Sequence, residues 1–363
     1  MININLSERV EVRSTGRLSA KGLHPLIGML ESSEVLSRFD RNRERDNRRM
    51  KFTAPQMMTV ILYMEIKKLT FESLGEKLDG RGGQVVLKNL RMPRGPDGRY
   101  MRPSNAWISQ FRNHEFMYFC RELEREISEL VKSQSGGIRM VITGDSTPME
   151  ASRYSEWADF NPHYRIKMAK DHIVMINGVP LMHRITNGNR ADNPEMRRLV
   201  EGFDGTRLNG LFLLDGSYDS WETYIDIYQR TGIVMSGNAG RNGVFHKEAT
   251  WDRVLRRYNR LNKEPNFKPS STATPDFIIR FLANHGEREL AGWFLRNLDL
   301  ARGRTIHSEH ARIRHVCETV HRAMKRWLNF DVRGIHRRYV GAHTRQKTMF
   351  CQLLCMLFKP YEI

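Results

Sequence analysis

The fold is decided by the stretch Ile173-Val174-Met175-Ile176-Asn177-Gly178-Val179-Pro180-Leu181-Met182, in which two apolar runs flank an Asn-Gly pair. Asn and Gly adopt positive φ angles more readily than other residues, and a type I′ turn between antiparallel strands requires that backbone. The sequence therefore predicts a β-hairpin with strands at 173–176 and 179–186.

Further apolar runs lie on either side of this hairpin. Residues 139–143 precede it and residues 211–214 follow it, and the pattern beyond predicts a helix at 220–231 and a short strand at 233–236. Antiparallel strands joined to further strands by helices describe an α/β fold with a mixed sheet flanked by helices. In such a sheet the strands at 139–143 and 211–214 would lie side by side.

The N-terminal region has a different, helical pattern. Thr53, Thr70 and Ser104 each precede a segment with helical periodicity, and all three are residue types that cap helix N-termini. Because the segment 132–137 is rich in small residues, we predict a helical domain at 1–135 and a second domain from residue 138 onwards. Short capped helices separated by turns suit a helix-turn-helix-like DNA-binding module, although a plain helical bundle fits the same pattern.

Composition indicates the class of partner. The chain has 363 residues, with 59 Lys plus Arg against 41 Asp plus Glu, a net charge of +18 and a pI near 10.0. Such a field favours a polyanion, and nucleic acid is the first interpretation. An anionic membrane surface would also attract this charge, but the sequence has no long apolar run and no signal pattern, so we expect a cytoplasmic protein. The four cysteines lack paired C-x-x-C spacing and are expected to be reduced core residues.

Three carboxylates stand where a metal site is expected. Asp145 follows the apolar run 140–143, Asp215 follows the run 211–214, and Glu318 lies in the helical-looking stretch 312–327. Acids at strand ends lie at the edge of a sheet, where ligands gather. A third acid from a helix would complete an oxygen-ligand cage for a pair of divalent metals, the arrangement used for displacement at phosphorus.

The stretch that contains Glu318 separates into two faces on a helical wheel. Arg314, Glu318 and Lys325 fall within about 40° of one another, with His321 close beside them. The apolar residues lie on nearly the opposite side and comprise Val316, Val320, Ala323 and Trp327. The polar face suits a metal ligand beside cations that bind phosphate oxygens, and an ordinary solvated helix face fits the same spacing.

Residues 237–304 separate the last predicted strand from this helix, and we interpret them as an insertion. Four arginines recur there at helical spacing, namely Arg253, Arg256, Arg257 and Arg260. Their basic face is a candidate for phosphate contacts, with simple solvation of a surface helix as an even alternative.

The ordered motifs resemble those of DDE transposases of prokaryotic insertion sequences. Gly144-Asp145-Ser146-Thr147-Pro148 is similar to that family's first-aspartate motif, and Leu213-Leu214-Asp215-Gly216-Ser217-Tyr218-Asp219-Ser220 is similar to the second. Arg314, Glu318 and Lys325 match three members of the Y-R-E-K signature, while Ala311 stands in place of the tyrosine. The segment 186–189 before Asp192 is similar to the family's P-G-N-x-x-D turn, without its proline.

This resemblance implies an RNase H-like catalytic domain that cleaves element ends and transfers the strands to target DNA. It implies Asp145, Asp215 and Glu318 as catalytic residues and as ligands of two Mg²⁺ ions, for which Mn²⁺ can substitute. Arg314 and Lys325 would orient the transposon end, and Lys167 is a weaker candidate for a phosphate contact. The implied partners are double-stranded DNA and a second copy of the chain on that DNA.

Two alternatives stay open from the sequence. A domesticated DNA-binding protein without catalysis would keep the fold, and a metal-dependent nuclease or phosphatase would use a similar acid cluster without strand transfer. The presence of all three acids argues against the first alternative.

Overall fold

A computed structural model describes residues 10–12, 19–45, 51–135, 140–203, 207–237, 243–263, 273–328 and 337–360. The strands are β1 (Val10–Val12), β2 (Met140–Glu150), β3 (Asp159–Asn161), β4 (Ile166–Ile176), β5 (Val179–Asn187), β6 (Gly210–Leu213) and β7 (Phe358–Pro360). The helices before β2 are α1 (His24–Glu31), α2 (Glu34–Arg45), α3 (Ala54–Ile66), α4 (Phe71–Asp79), α5 (Gly83–Asn89), α6 (Asn105–Gln110) and α7 (Phe116–Ser135). The later helices are α8 (Asp192–Val200), α9 (Trp221–Thr231), α10 (Trp251–Leu261), α11 (Pro275–Asn284), α12 (Arg288–Leu300), α13 (Gly303–Trp327) and α14 (Arg337–Leu357).

The predicted N-terminal caps are present. The Thr53 side chain accepts from the Gln56 N–H and the Gln56 side chain accepts from the Thr53 N–H, so a capping box starts α3; Thr70 starts α4 in the same way. Helix α3 is buried around its whole circumference, so it is the central helix of this region. The helix capped by Ser104 continues through a π-helical turn at Phe111–Glu115 into the long α7.

Helices α4 and α5 form a tight pair joined by residues 80–82. A Cβ at Gly83 would lie 1.9 Å from the carbonyl oxygen of Leu78, so only glycine fits this close approach. After α5 the chain makes a small wing at residues 94–100, closed by an antiparallel bridge between Arg94 and Tyr100. The Gln84 side chain binds both backbone polar groups of Tyr100, at 3.0 and 2.8 Å, and so fixes the wing to α5.

The central sheet has mixed strand directions. β4 pairs antiparallel with β2, β3 and β5, whereas β6 pairs parallel with the other edge of β2. The predicted hairpin is confirmed, because Asn177 and Gly178 have φ angles of 50° and 74° between β4 and β5. The expected neighbours, the strands at 139–143 and 211–214, do lie side by side as β2 and β6. This mixed sheet, flanked by helices and with further helices inserted before α13, is the predicted RNase H-like α/β architecture.

Three strands differ clearly in length from the prediction. β4 was expected at 173–176 but already begins at Ile166. β2 was expected to end at Thr143 but continues to Glu150, because the equally long β4 pairs with it as far as Met168. The Gly, Asp, Ser and Pro residues of this part resemble a turn locally, and cross-strand pairing overrides that preference. The predicted strand at 233–236 contributes only a parallel bridge from Ser236 to Leu213.

Helices cover both faces of the sheet. Helices α7, α13 and α14 contact the face to which Asp145 belongs, and α8 contacts the other face. The inserted helices pack through α12 on α9, where a Cβ at Gly292 would lie 2.4 Å from the Trp221 carbonyl oxygen. The four cysteines are free and buried, as predicted. Within the described part of the chain, no helix is long and apolar enough to cross a membrane.

Candidate active site

Two aspartates lie at corresponding places on neighbouring strands. The last residues paired between β2 and β6 are Thr143 and Leu213, and Asp145 and Asp215 each follow two positions later. β6 ends there, whereas β2 continues with one edge unpaired by β6, so Asp145 lies within a strand and not after its end as the sequence suggested. Parallel strands lie about 4.8 Å apart, so this register places the two carboxylates beside each other.

Burial dominates the electrostatics of Asp145. Its side chain is 21% exposed, and burial raises the pKa of this carboxyl from 3.8 to about 6. The nearby carboxylates of Asp215 and Asp192 raise the pKa further, while the Ser146 N–H, 2.8 Å from Oδ1, and the Arg314 guanidinium lower it. A buried acid with acidic neighbours is stabilised in its charged form by an added cation.

Asp215 is held by the turn that follows it. Its Oδ1 accepts from the Ser217 N–H at 2.8 Å and from the Ser217 hydroxyl, at the start of a 3₁₀ turn over Gly216–Tyr218. The neighbouring Asp219 points elsewhere, because the Arg296 guanidinium of α12 binds both of its oxygens at 2.7 and 2.8 Å. Of the two acids in this turn, Asp215 is therefore the one beside Asp145, whereas Asp219 is held by Arg296.

Glu318 reaches this region from α13, together with cations of the same helix. The Arg314 Nη2 lies 3.1 Å from Glu318 Oε1, and the His315 Nδ1 lies 3.0 Å from Oε2. Arg322, one turn later, lies 4.0 Å from Oε2. Although burial acts to raise the pKa of Glu318, the bond to His315 and the charges of His315 and Arg314 lower it below its usual value.

The donor set suits a hard divalent cation, because all three candidate ligands are carboxylates and one of them is desolvated. The structure brings the three acids to one region without closing them into a cage. Arg314 lies between two of them, with Nη1 3.8 Å from Asp145 Oδ2. Among the residues described, no group of three or more His, Cys, Asp or Glu side chains is arranged to hold a metal ion.

A family model, that of the transposase DDE domain, matches residues 137–357. This span contains both strand-borne aspartates, the inserted helices and α13. The chain belongs to this family. No curated protein and no solved structure matches the chain. Members of the family act on DNA in transposition and recombination, and they generally use divalent metals.

Two groups near the candidate site lie in motifs quoted from the sequence, which assigned them no role of their own. Asp192, already noted in the segment similar to a family turn, binds Lys170 at 3.0 Å and lies 3.4 Å from His172 Nδ1. Tyr218 is 1% exposed, and its hydroxyl has no partner among the described residues. Burial raises the pKa of Tyr218, and the charges of Asp145, Asp192 and Asp215 raise it further. In the sequence, the position of Tyr218 inside the second aspartate motif was the feature that could have indicated its place near the acids.

Lys325 and His321 differ in their surroundings. Lys325 is exposed two turns after Glu318, on the face where it was expected. Partial burial lowers the pKa of Lys325. His321 was expected beside the polar face and is buried instead, next to the buried Cys317 and Met324 on the neighbouring turns of α13. Burial lowers the pKa of His321 to about 3.

Lys167 lies away from the acids. Its Nζ donates to the Ser155 carbonyl at 2.9 Å, and it pairs with Phe160 at the distal end of β4. Ile173, the residue opposite Asp145, is about 20 Å farther along the strand at ~3.3 Å per residue. A contact from Lys167 would therefore fall on DNA remote from the reacting phosphate.

The candidate arginines of the insertion do share α10, as predicted. Arg253 pairs with Glu248 and Arg257 pairs with Glu287, so these two charges are partly neutralised. Arg256 and Arg260 are exposed, and Arg256 Nε is 3.4 Å from the Asp252 carbonyl. Val254 and Tyr258 bury the opposite face.

Proposed function

We propose that this transposase cleaves the ends of a DNA element and joins the freed strands to target DNA, with Asp145, Asp215 and Glu318 as its catalytic acids. The observation that carries the proposal is the shared register of the two aspartates beyond the β2–β6 pairs, with Glu318 linked to Asp145 through one arginine. Asp145 is buried beside other carboxylates, so a bound cation would stabilise its charged form, and this supports its assignment as a metal ligand.

Two Mg²⁺ ions, or Mn²⁺ in their place, would be held by Asp145, Asp215 and Glu318. When bound, such ions activate the attacking hydroxyl and stabilise the leaving oxygen at phosphorus. The Ser146 N–H holds the carboxylate of Asp145 and the Ser217 N–H holds that of Asp215. The orientation of both carboxylates is therefore set before a metal ion binds. Arg314 and Lys325 supply positive charge on either side of Glu318 for the phosphates of the transposon end.

We further propose that residues 1–135 bind DNA and that residues 138–363 form the catalytic domain, with the insertion at about 237–304. The unit formed by α4, α5 and the wing supports the first assignment, since a three-residue turn joins the two helices. Its exposed cations, which would contact the backbone of a duplex, are Arg81, Lys88, Arg94 and Arg99. Exposed Val85 on α5 is free to contact base edges or thymine methyl groups.

Other DNA contacts are assigned to the insertion, where Arg256 and Arg260 are the stronger candidates and the paired Arg253 and Arg257 the weaker ones. Lys167 is a distant candidate on the β4 arm. Because two ends have to be brought together before joining, we propose a homodimer on DNA.

The test is incubation of the full-length protein with Mg²⁺ and labelled duplex from the sequences that flank its own gene, with a second unlabelled duplex as target. We expect 3′-end cleavage and attachment of the labelled strand to the target. Asp145→Asn, Asp215→Asn and Glu318→Gln should abolish both steps, whereas Glu309→Gln, an exposed acid on the same helix, should leave them unchanged.

Other outcomes select the alternatives. Cleavage without joining would identify a nuclease, and DNA binding without either reaction would identify a non-catalytic binding protein. Unchanged cleavage by Asp145→Asn would refute the assignment of the acids.

A further inference from the structure

Arg314 occupies the space between two of the proposed metal ligands. Its two terminal nitrogens reach carboxylates on different elements, Glu318 of α13 at 3.1 Å and Asp145 of β2 at 3.8 Å. The side chain is 14% exposed, so this is a largely desolvated contact. Its Nε is buried and has no acceptor among the described residues, so the guanidinium is not fully satisfied where it lies.

A guanidinium in this place competes with a metal ion for the same oxygens. Asp145 Oδ2 and Glu318 Oε1 face a monovalent cation that has no coordination requirement, and a divalent ion has to displace it to bind both. Glu318 has a second constraint, because His315 binds its other oxygen at 3.0 Å. In the free protein these oxygens are thus already paired with the protein's own cations, which lowers their affinity for added metal.

We propose that Arg314 is a positioning residue that exchanges partners: it bridges Asp145 and Glu318 in the free protein and moves to a phosphate of the DNA end when that end binds. The inference rests on the proposed function, since it takes the three acids as metal ligands. A guanidinium forms paired, charge-assisted bonds to phosphate, so the exchange keeps its charge neutralised and satisfies more of its donors.

The consequence is coupling between DNA and metal. Departure of Arg314 leaves the oxygens of Asp145 and Glu318 free for a divalent ion, so metal ligation is completed only where a DNA end is present. Linkage makes the effect reciprocal: DNA raises metal affinity and metal raises DNA affinity by the same factor, typically about 5–150-fold. A transposase with this device would not cleave DNA that fails to reach Arg314.

The experiment measures Mn²⁺ binding by the full-length protein, using electron paramagnetic resonance or calorimetry, with and without an end duplex and with no activity readout. For the natural protein we expect Mn²⁺ affinity to rise about tenfold or more on adding the duplex. Arg314→Gln should bind Mn²⁺ about tenfold more tightly than the natural protein in the absence of DNA, and the duplex should add little. Arg312→Gln, an exposed arginine on the same helix, is the matched control and should behave like the natural protein.

Equal or weaker Mn²⁺ binding by DNA-free Arg314→Gln, in protein whose far-UV circular dichroism matches that of the natural chain, would overturn the inference. Should that variant not fold, Arg314→Lys replaces it: it keeps the charge without the fork, so a Mn²⁺ affinity and DNA response identical to those of the natural protein would count against the bridge. Asp145→Asn separates the two proposals, because unchanged Mn²⁺ binding in that variant would remove the metal site itself. Lost binding in Asp145→Asn would keep the site, and the Arg314 variants would then decide whether the bridge exists.

Discussion

Replacing Asp145, the buried acid proposed to be catalytic, should make the metal-free protein more stable. The pKa of Asp145 is raised from 3.8 to about 6, chiefly by burial, so the folded protein holds this proton more tightly than the unfolded chain does. Above pH 6 the ionised carboxyl therefore destabilises the fold. At 1.36 kcal/mol for each pKa unit, the shift corresponds to about 3 kcal/mol, and Asp145→Asn removes this cost while keeping an oxygen for the Ser146 N–H.

The assay is thermal or urea unfolding in EDTA between pH 4 and pH 8. Because the folded pKa is the higher one, the natural protein should lose stability relative to Asp145→Asn as pH rises from about 4 to 6. The two proteins should be similar near pH 4 and differ by about 3 kcal/mol at pH 7.5. Glu150→Gln is the control, since Glu150 is exposed at the end of the same strand and its replacement should change little.

The reasoning is refuted if Asp145→Asn is no more stable than the natural protein at pH 7.5, or if the difference is the same at both ends of the pH range. With an end duplex present, added Mg²⁺ should reverse this order of stability, because only the protein that keeps the carboxylate can bind the ion there.

Two further perturbations address other parts of the fold. Burial acts to lower the pKa of His183, but the carboxylates of Asp171 and Glu124, 3.0 and 3.1 Å away, raise it to about 9. His183→Ala should therefore lower the free energy of unfolding by about 3–5 kcal/mol at pH 6, measured by thermal unfolding. The difference from the natural protein should shrink as pH rises through 9. Gly83→Ala should weaken DNA binding and lower the melting temperature, because its Cβ would meet the backbone of Leu78 near the end of α4. Gly341→Ala, with open space around it, should instead stabilise α14 by about 0.5–1 kcal/mol, and equal effects of the two would contradict the packing argument.

Elements with strong local signals could be predicted from the sequence. The Asn177-Gly178 turn fixed the hairpin, and Ser220 and Gly232 bounded α9 at the predicted residues, with the glycine at φ 74°. Thr53 and Thr70 likewise started their helices. In each case a few adjacent residues carry the whole preference, through side-chain capping or positive φ, so no knowledge of distant contacts is needed.

The rest depended on contacts between distant segments. The extension of β2 past Thr143 follows from its pairing with β4, which its own Gly, Ser and Pro residues do not predict. The burial of His321 depends on which elements pack on α13. Ion pairs such as that of Arg296 with Asp219 join residues far apart in the chain. The helical spacing in the sequence could therefore put arginines on one helix face, but it could not show which of them already pair with an acid.

The departures from local preference concentrate around the proposed catalytic acids. A turn-like sequence is held as strand at Asp145, the Tyr218 hydroxyl is buried without a partner among the described residues, and the Arg314 guanidinium is only partly satisfied. Each of these costs stability, and together they are the kind of conflict that a protein retains where function requires it. A DNA phosphate would relieve the last of them by giving Arg314 a complete partner, and a divalent cation would in addition neutralise the buried acids. The stability of this region should therefore depend on its ligands more than that of any element the sequence predicted well.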